Sequence, residues 1–168
     1  NKPLVLKSPP NTARVKHLLS LFPDAKFIFI HRNPYDVYAS NKRFLKVTQS
    51  IYAVGGASSV DFNSIIMDTY AQMMDRYLLE KELIPEGHLI EIPYEDLIHK
   101  PMESMRKIYE SIQLDDFDYT ENKMNSFVRH QKSYVRLEHE LPTDERKAVT
   151  EKFEPFIRYW NYPQLYSS

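Results

Sequence analysis

The sequence predicts an α/β domain of three layers, with helices on both faces of a parallel sheet. Apolar runs of strand length alternate with segments of helical periodicity. The first crossover between two such runs is long enough to hold a helix, which a parallel connection requires. The 168 residues, 42% hydrophobic and 13% aromatic, also suit one domain with a real core. We therefore expect one domain over residues 1–168.

The first strand–helix–strand unit begins at residues 3–6 (PLVL), an apolar run suited to a buried strand. A proline-rich turn follows it. Apolar residues then recur at helical spacing over 11–22, and Pro23 ends that segment. Residues 26–31 (KFIFIH) predict a second buried strand. This order indicates a βαβ unit and hence a parallel sheet.

The next two helices have clear start signals. Asn33 and Pro34 are typical of a cap followed by a first helical residue, and that helix should run to about Lys46. Asp61 should begin a long amphipathic helix that ends near Leu83. The later predicted elements are a strand at residues 88–92 and helices over 101–112, 121–129 and 142–156.

Composition excludes several kinds of site. The three glycines, Gly55, Gly56 and Gly87, cannot form a glycine-rich phosphate loop. Without cysteine there is no disulfide, thiol nucleophile or thiolate metal site. No apolar stretch approaches the length of a membrane span, so a soluble chain is expected. Residues 1–50 carry a net charge of +7 and the remainder −8, which favours an anionic partner for the N-terminal third.

Residues 27–40 (FIFIHRNPYDVYAS) hold the most informative arrangement. Arg32 lies where a buried strand ends, and Ser40 follows eight residues later on the next helix. Ligands of open α/β sheets bind beyond the carboxyl ends of the strands. An arginine fork and a helix start at that edge suit a phosphate or sulfate. The alternative is a structural role, with Arg32 paired to Asp36 and Ser40 packed as a small helix residue.

Residues 21–40 (LFPDAKFIFIHRNPYDVYAS) resemble a segment of the sulfotransferases that use 3′-phosphoadenosine 5′-phosphosulfate (PAPS). In that family the segment binds the 3′-phosphate of the donor. The resemblance is to the broad group that includes bacterial members and is similar to tyrosylprotein sulfotransferases. It implies a P-loop NTPase-like sulfotransferase fold in which Arg32 and Ser40 bind the 3′-phosphate.

Two further segments extend the resemblance. Residues 4–9 (LVLKSP) are similar to the strand end at which the family directs a basic residue toward the transferred sulfuryl group, so Lys7 is the implied catalytic cation. A fixed cation stabilises charge that builds on the transferred group and the leaving phosphate. Residues 90–101 (IEIPYEDLIHKP) resemble the segment whose tyrosine contacts the adenine, here Tyr94. Without the resemblance, we would interpret Lys7 as a solvated lysine and Tyr94 as a half-buried residue at the edge of the core.

Residues 129–136 (RHQKSYVR) occupy the position at which the family closes a basic flap over the donor. Lys132 and Ser133 are the implied contacts, and Tyr134 is a weaker one. The cytosolic sulfotransferases carry an Arg-Lys-Gly sequence there, which this chain lacks.

The family also begins with a strand and a phosphate-sulfate loop, roughly R-[ST]-G-[ST]-[ST], that holds the 5′-phosphosulfate. Residues 1–168 contain no such loop. The sequence therefore predicts an N-terminally truncated sulfotransferase domain, inactive by itself. The six histidines identify no general base, which in the tyrosylprotein relatives is an upstream carboxylate, and no metal is expected.

The predicted function is transfer of a sulfuryl group from PAPS, leaving adenosine 3′,5′-bisphosphate, to a hydroxyl or amine acceptor. Carbohydrates, peptide tyrosines and small alcohols or amines all remain open, because the resemblance implies an acceptor pocket built from variable loops, such as residues 48–63 here. One alternative is a non-catalytic module that binds 3′-phosphorylated nucleotides. A nucleotide kinase is a minor alternative, because such an enzyme would need acidic magnesium ligands at its strand ends. Nucleic-acid binding is not expected, since interleaved exposed aromatics are missing. The location would be cytoplasmic in a bacterium, and the oligomeric state is open.

Overall fold

The computed structural model describes residues 4–52, 61–131 and 141–165. The chain divides into two compact units, residues 1–32 with 76–136 and residues 33–75 with 137–168. In chain order the elements are α1 (Val15–Leu21), β1 (Phe27–His31), α2 (Pro34–Tyr52), α3 (Phe62–Glu80), β2 (Leu89–Pro93), α4 (Tyr94–His99), α5 (Pro101–Ser111), α6 (Phe117–Gln131) and α7 (Thr143–Tyr159). Short 3₁₀ turns span Pro9–Ala13 and Lys81–Leu83.

The first unit is built on a parallel pair of strands, β1 and β2. Phe27 pairs with Leu89 and the ladder ends with His31 opposite Pro93. Because side chains alternate along a strand, Phe29 and its partner Glu91 share one face of this sheet. The predicted parallel arrangement and both strands are confirmed, each strand to within a residue of its expected bounds.

Helices cover this sheet on both faces. On one face the buried side chains of α5 pack against β2 in a cluster formed by Ile90, Ile92, Ile108 and Ile112. Each such burial stabilises the fold by about 1.5–3 kcal/mol. On the other face the ring of Tyr77, from the last turns of α3, stacks on Phe29 with centroids 3.9 Å apart. The three-layer α/β prediction is therefore confirmed.

The start of α1 is held by a buried carboxylate rather than by a side-chain cap of its own. Glu80 is 3% exposed, and its Oε2 accepts a hydrogen bond from the backbone N–H of Lys16 at 3.0 Å. Arg76 forms an ion pair with the other oxygen at 2.6 Å. A negative charge suits the first turn of a helix, where backbone N–H groups lack intrahelical acceptors. The buried charge of Glu80 is thereby compensated.

The second unit contains α2, the whole of α7 and the first turns of α3. The core of α7 consists of four buried side chains: Val149, Phe153, Phe156 and Ile157. The ring of Tyr70 lies on this core, 4.4 Å from that of Phe153 between centroids. Tyr35 on α2 hydrogen-bonds through its hydroxyl to Thr150 at 2.6 Å, which links α2 to α7. Apolar packing and polar contacts such as this one thus hold the unit together.

The predicted strand at residues 3–6 is wrong for the part that is described. Residues 4–7 have no regular secondary structure and no ladder pairing, and Val5 is 85% exposed. A strand requires a neighbour to satisfy its backbone groups, and the sheet of the described residues contains β1 and β2 alone. An apolar run by itself does not specify that neighbour.

Several boundaries also differ from prediction. The first helix is divided into the 3₁₀ turn Pro9–Ala13 and the shorter α1. Helix α2 continues to Tyr52, and α6 begins at Phe117. Helix α4 was not predicted, because its six residues are too few to show an apolar period. Across the ranges that the structure describes, none of these helices has the length and apolar character to cross a membrane.

Candidate functional site

Two predicted site residues of the first unit lie side by side at the carboxyl ends of the strands. Arg32 and Tyr94 each follow the last pair of the parallel ladder, His31 opposite Pro93. The guanidinium carbon of Arg32 lies 4.8 Å from the centroid of the Tyr94 ring, over its face. Both side chains are half-buried. This is the edge at which open α/β sheets bind their ligands.

Tyr94 is the first residue of a helix that is anchored to the core. Pro93 precedes it with φ of −63°, a fixed geometry for a chain leaving a strand. On the same helix, Leu97 packs against the isoleucine cluster of β2 and α5. The backbone N–H of Lys100 donates to the carbonyl of Asp96 at 2.7 Å and closes the helix. Tyr94 therefore belongs to a helix that is packed against the core of the first unit.

His31, the last residue of β1, is 9% exposed. Its ring faces that of Phe29, with 6.4 Å between centroids. Burial lowers the pKa of His31 below the usual 6.5, while the carboxylates of Glu91, Glu95 and Asp96 act in the opposite direction. The neutral imidazole is thus favoured in the folded chain.

We predict that His31 makes folding stability sensitive to mild acid. A histidine with a lowered folded pKa stabilises the fold above the unfolded pKa of 6.5, and this stability is lost as the pH falls below it. The free energy of unfolding should fall more steeply from pH 7 to pH 5 in the wild type than in His31→Gln. Urea titrations at several pH values measure both slopes. Parallel curves would contradict the prediction.

Sequence reasoning missed a polar cluster on the same sheet face. The Tyr77 hydroxyl donates to Oε1 of Glu91 at 2.7 Å, and the ammonium of Lys81 donates to Oε2 at 3.2 Å. Burial would penalise this carboxylate without such partners. Its sequence signal is a glutamate inside an otherwise apolar strand, LIEIP. The cluster fixes the end of α3 on the sheet.

In the second unit the predicted start of α2 is confirmed. The side-chain oxygen of Asn33 accepts a hydrogen bond from the backbone N–H of Tyr35 at 3.1 Å, and Pro34 is the first helical residue. Asn33 also accepts from Val37 N through its backbone carbonyl at 3.1 Å. Ser40 lies one turn further along the helix and is exposed. Its hydroxyl is accessible to solvent.

Sequence analysis also missed a polar group between α2 and α7. Tyr38 is 1% exposed, and burial together with the neighbouring carboxylate of Glu145 raises its pKa to about 12. Lys42, one turn further on α2, forms an ion pair with the same carboxylate. Tyr38 and Lys42 lie one turn apart on α2, but Glu145 comes from α7, about 100 residues later, so spacing carried no signal for its contact with them.

The other predicted site residues have different outcomes. Lys7 lies in the irregular segment before the first 3₁₀ turn and is exposed. Lys132 and Ser133 lie outside the described residues. Among residues 4–52, 61–131 and 141–165, no group of three or more histidines or carboxylates is placed to hold a metal ion. The structure thus brings Arg32 and Tyr94 into contact, and the roles assigned to all of these residues stay predictions.

Comparison with known proteins agrees with this fold. Residues 1–119 match the model described as the Sulfotransferase family. Over 164 residues and 96% of its length, the chain is 29% identical to the omega-hydroxy-beta-dihydromenaquinone-9 sulfotransferase Stf3 of Mycobacterium bovis. The Mycobacterium tuberculosis protein of that name matches equally. The crystal structure of sulfotransferase STF9 from Mycobacterium avium superposes with a TM-score of 0.78 at 25% identity.

These relatives are longer than the chain described here. The match covers 42% of each Stf3 protein, and 92% of this chain against 41% of STF9. The parallel sheet of this chain, with helices on both faces, is consistent with the α/β fold of its sulfotransferase neighbour. Because the family model matches more than half of its residues, the chain belongs to the sulfotransferase family.

Proposed function

We propose that the protein to which this chain belongs transfers a sulfuryl group from PAPS to a hydroxyl or amine acceptor. The observation that carries the proposal is the position of Arg32 beside Tyr94, where the parallel strands of a sulfotransferase-family chain end. A planar guanidinium binds a phosphate through two parallel hydrogen bonds, which a lysine cannot reproduce.

In this proposal the chain supplies the 3′-phosphate end of the donor site. Arg32 binds the 3′-phosphate and Tyr94 contacts the adenine. The exposed hydroxyl of Ser40 donates to the same phosphate. Lys132 and Ser133 belong to a flap over the donor. These assignments come from the family resemblance and are supported here by the strand-end positions of the first two residues.

Lys7 is the proposed electrostatic stabiliser of the reaction. During transfer the bond between sulfur and the 5′-phosphate oxygen breaks, and a bond between sulfur and the acceptor atom forms. Negative charge grows on the leaving phosphate, and a fixed ammonium stabilises it. The proton of the acceptor leaves to a general base.

A hydroxyl is the acceptor class that the relatives favour. The name of the mycobacterial Stf3 proteins specifies an omega-hydroxylated menaquinone derivative. The chain is 29% identical to these proteins and covers 42% of their length. This similarity supports a hydroxyl as the acceptor group, but it does not identify the molecule that carries the hydroxyl. We accordingly propose sulfation of an alcohol oxygen in preference to an amine.

We predict that adenosine 3′,5′-bisphosphate stabilises the 168-residue chain more than AMP does. A ligand that binds the folded state raises the melting temperature according to its concentration and dissociation constant. The additional 3′-phosphate should find Arg32, so the bisphosphate should give the larger shift at equal concentration. Thermal unfolding with each nucleotide measures this, and inorganic phosphate controls for general anion binding.

Equal shifts for the two nucleotides would count against the proposal. Enzyme and binding module are separated by following transfer of labelled sulfate from PAPS to a hydroxylated acceptor, with a longer form of the protein. Nucleotide binding without any sulfated product would favour the non-catalytic module.

A further inference from the structure

The contact between Arg32 and Tyr94 indicates a second role for the tyrosine ring. We infer that Tyr94 is a positioning residue for Arg32: the face of its ring holds the guanidinium in the orientation that receives the 3′-phosphate. The inference rests on the proposed function and adds to it, because the family resemblance assigns Tyr94 to the adenine alone.

Backbone geometry places the two side chains together before any ligand binds. The ladder fixes His31 opposite Pro93, so the next residue of each strand leaves the sheet at the same edge. On the β2 side, Pro93 and the packing of Leu97 hold the helix that carries Tyr94. Arginine has a long side chain that loses rotamer freedom when it is fixed. A ring on a supported helix removes part of that cost from the binding step.

The kind of contact also suits phosphate binding. The guanidinium lies over the ring face at 4.8 Å, a cation–π geometry that uses the flat side of the group. Its N–H donors point outward in the guanidinium plane, so stacking on the ring occupies none of them. A carboxylate partner would take the same in-plane donors that a phosphate needs. An aromatic partner orients the arginine while its fork stays compatible with an anion.

The chain around this contact is acidic. Glu95 and Asp96 follow Tyr94 in the first turn of α4, and both act to raise the pKa of His31, the residue before Arg32. The ring of Tyr94 is a neutral contact for the guanidinium in this acidic surrounding.

The test compares nucleotide selectivity in variants of the 168-residue chain. Calorimetry gives the dissociation constants of AMP and adenosine 3′,5′-bisphosphate, and their ratio isolates the contribution of the 3′-phosphate. Tyr94→Leu should reduce this ratio by roughly fivefold, the usual size of a partly desolvated cation–π contact. Tyr94→Phe keeps the ring face and should stay within about twofold of wild type. Circular dichroism checks that each variant is folded.

Four comparisons decide the outcome. In an Arg32→Ala background, Tyr94→Leu should cause no further loss of selectivity, because the ring has no guanidinium to hold. Tyr119, 75% exposed on α6, provides the matched control Tyr119→Leu, which should leave the ratio unchanged. An equal loss of affinity for both nucleotides in Tyr94→Leu would overturn the inference and leave an adenine contact alone. A loss as large in Tyr94→Phe would assign the effect to the hydroxyl and would overturn it too.

Failure of the proposed function has a different signature. If the wild-type chain showed no preference for the bisphosphate, or if Arg32→Ala left the selectivity unchanged, Arg32 would not bind the 3′-phosphate and the proposed function would fail.

The positioning contact itself is measured separately by NMR without nucleotide. Ring currents should shift the side-chain signals of Arg32 in wild type and Tyr94→Phe, and the shift should vanish in Tyr94→Leu. Identical Arg32 signals in all three proteins would overturn the inference whatever the nucleotides show.

Discussion

Replacing Arg32 by alanine is expected to weaken binding of adenosine 3′,5′-bisphosphate by roughly 10- to 150-fold, while binding of AMP changes little. Hydrogen bonds to a charged group contribute about 1.5–3 kcal/mol each, and the bisphosphate differs from AMP only in the group that Arg32 is proposed to bind. Arg32 follows the last ladder pair and is half-buried, so a bound phosphate would lie partly out of water. Calorimetric titration of both nucleotides into both proteins measures the effect.

The matched control is Arg158→Ala. This arginine lies near the end of α7 with a side chain 75% exposed, paired with Glu154 one turn away. Its removal changes the net charge by the same amount, so it separates a specific contact from a general loss of positive charge. Similar losses in both variants, or equal weakening of AMP and the bisphosphate by Arg32→Ala, would refute the placement of the 3′-phosphate.

The largest expected effect on stability is that of Phe153→Ala, a loss of about 3–5 kcal/mol in the free energy of unfolding. Phe153 is 0% exposed on α7, and the ring of Tyr70 lies 4.4 Å from it. Alanine would leave a cavity between these side chains that the second unit cannot fill without moving α7. Because whole domains are stable by only about 5–15 kcal/mol, the variant should unfold at much lower urea concentration.

Phe44→Ala is the control for this variant. Phe44 belongs to the same unit but is 64% exposed on α2, and substitutions at such surface positions usually change stability by about 0.5 kcal/mol or less. Urea denaturation followed by circular dichroism at 25 °C compares the three proteins. If Phe153→Ala lost no more stability than Phe44→Ala, the packing of α7 against Tyr70 would be wrong.

Local sequence signals predicted the elements whose cause is local. The apolar runs in KFIFIH and HLIEI identified β1 and β2, and Asn33 with Pro34 identified the start of α2. The spacing of Arg32 and Ser40 predicted an anion site. The resemblance to PAPS sulfotransferases then led to the prediction that this site binds the donor. The family assignment follows from the same segment and is confirmed.

Features that depend on distant partners were not predictable in the same way. An apolar run at residues 3–6 resembles a strand, yet residues 4–7 join no ladder in the described sheet. The partners of Glu91, namely Tyr77 and Lys81, come from the end of α3 and the turn after it. Such pairs have no fixed spacing, because the fold and not the chain sets the distance between them.

By itself the sequence determined the α/β class, the two parallel strands, the arginine at the end of β1 and membership of the sulfotransferase family. Tertiary structure alone decided that Arg32 rests on the ring of Tyr94, that His31 is buried and that Glu91 has partners across the sheet face. The physical reason is range. Periodicity, capping and turn chemistry act between near neighbours in the chain, whereas stacking, burial and ion pairing act between side chains that meet only when the strands are in register.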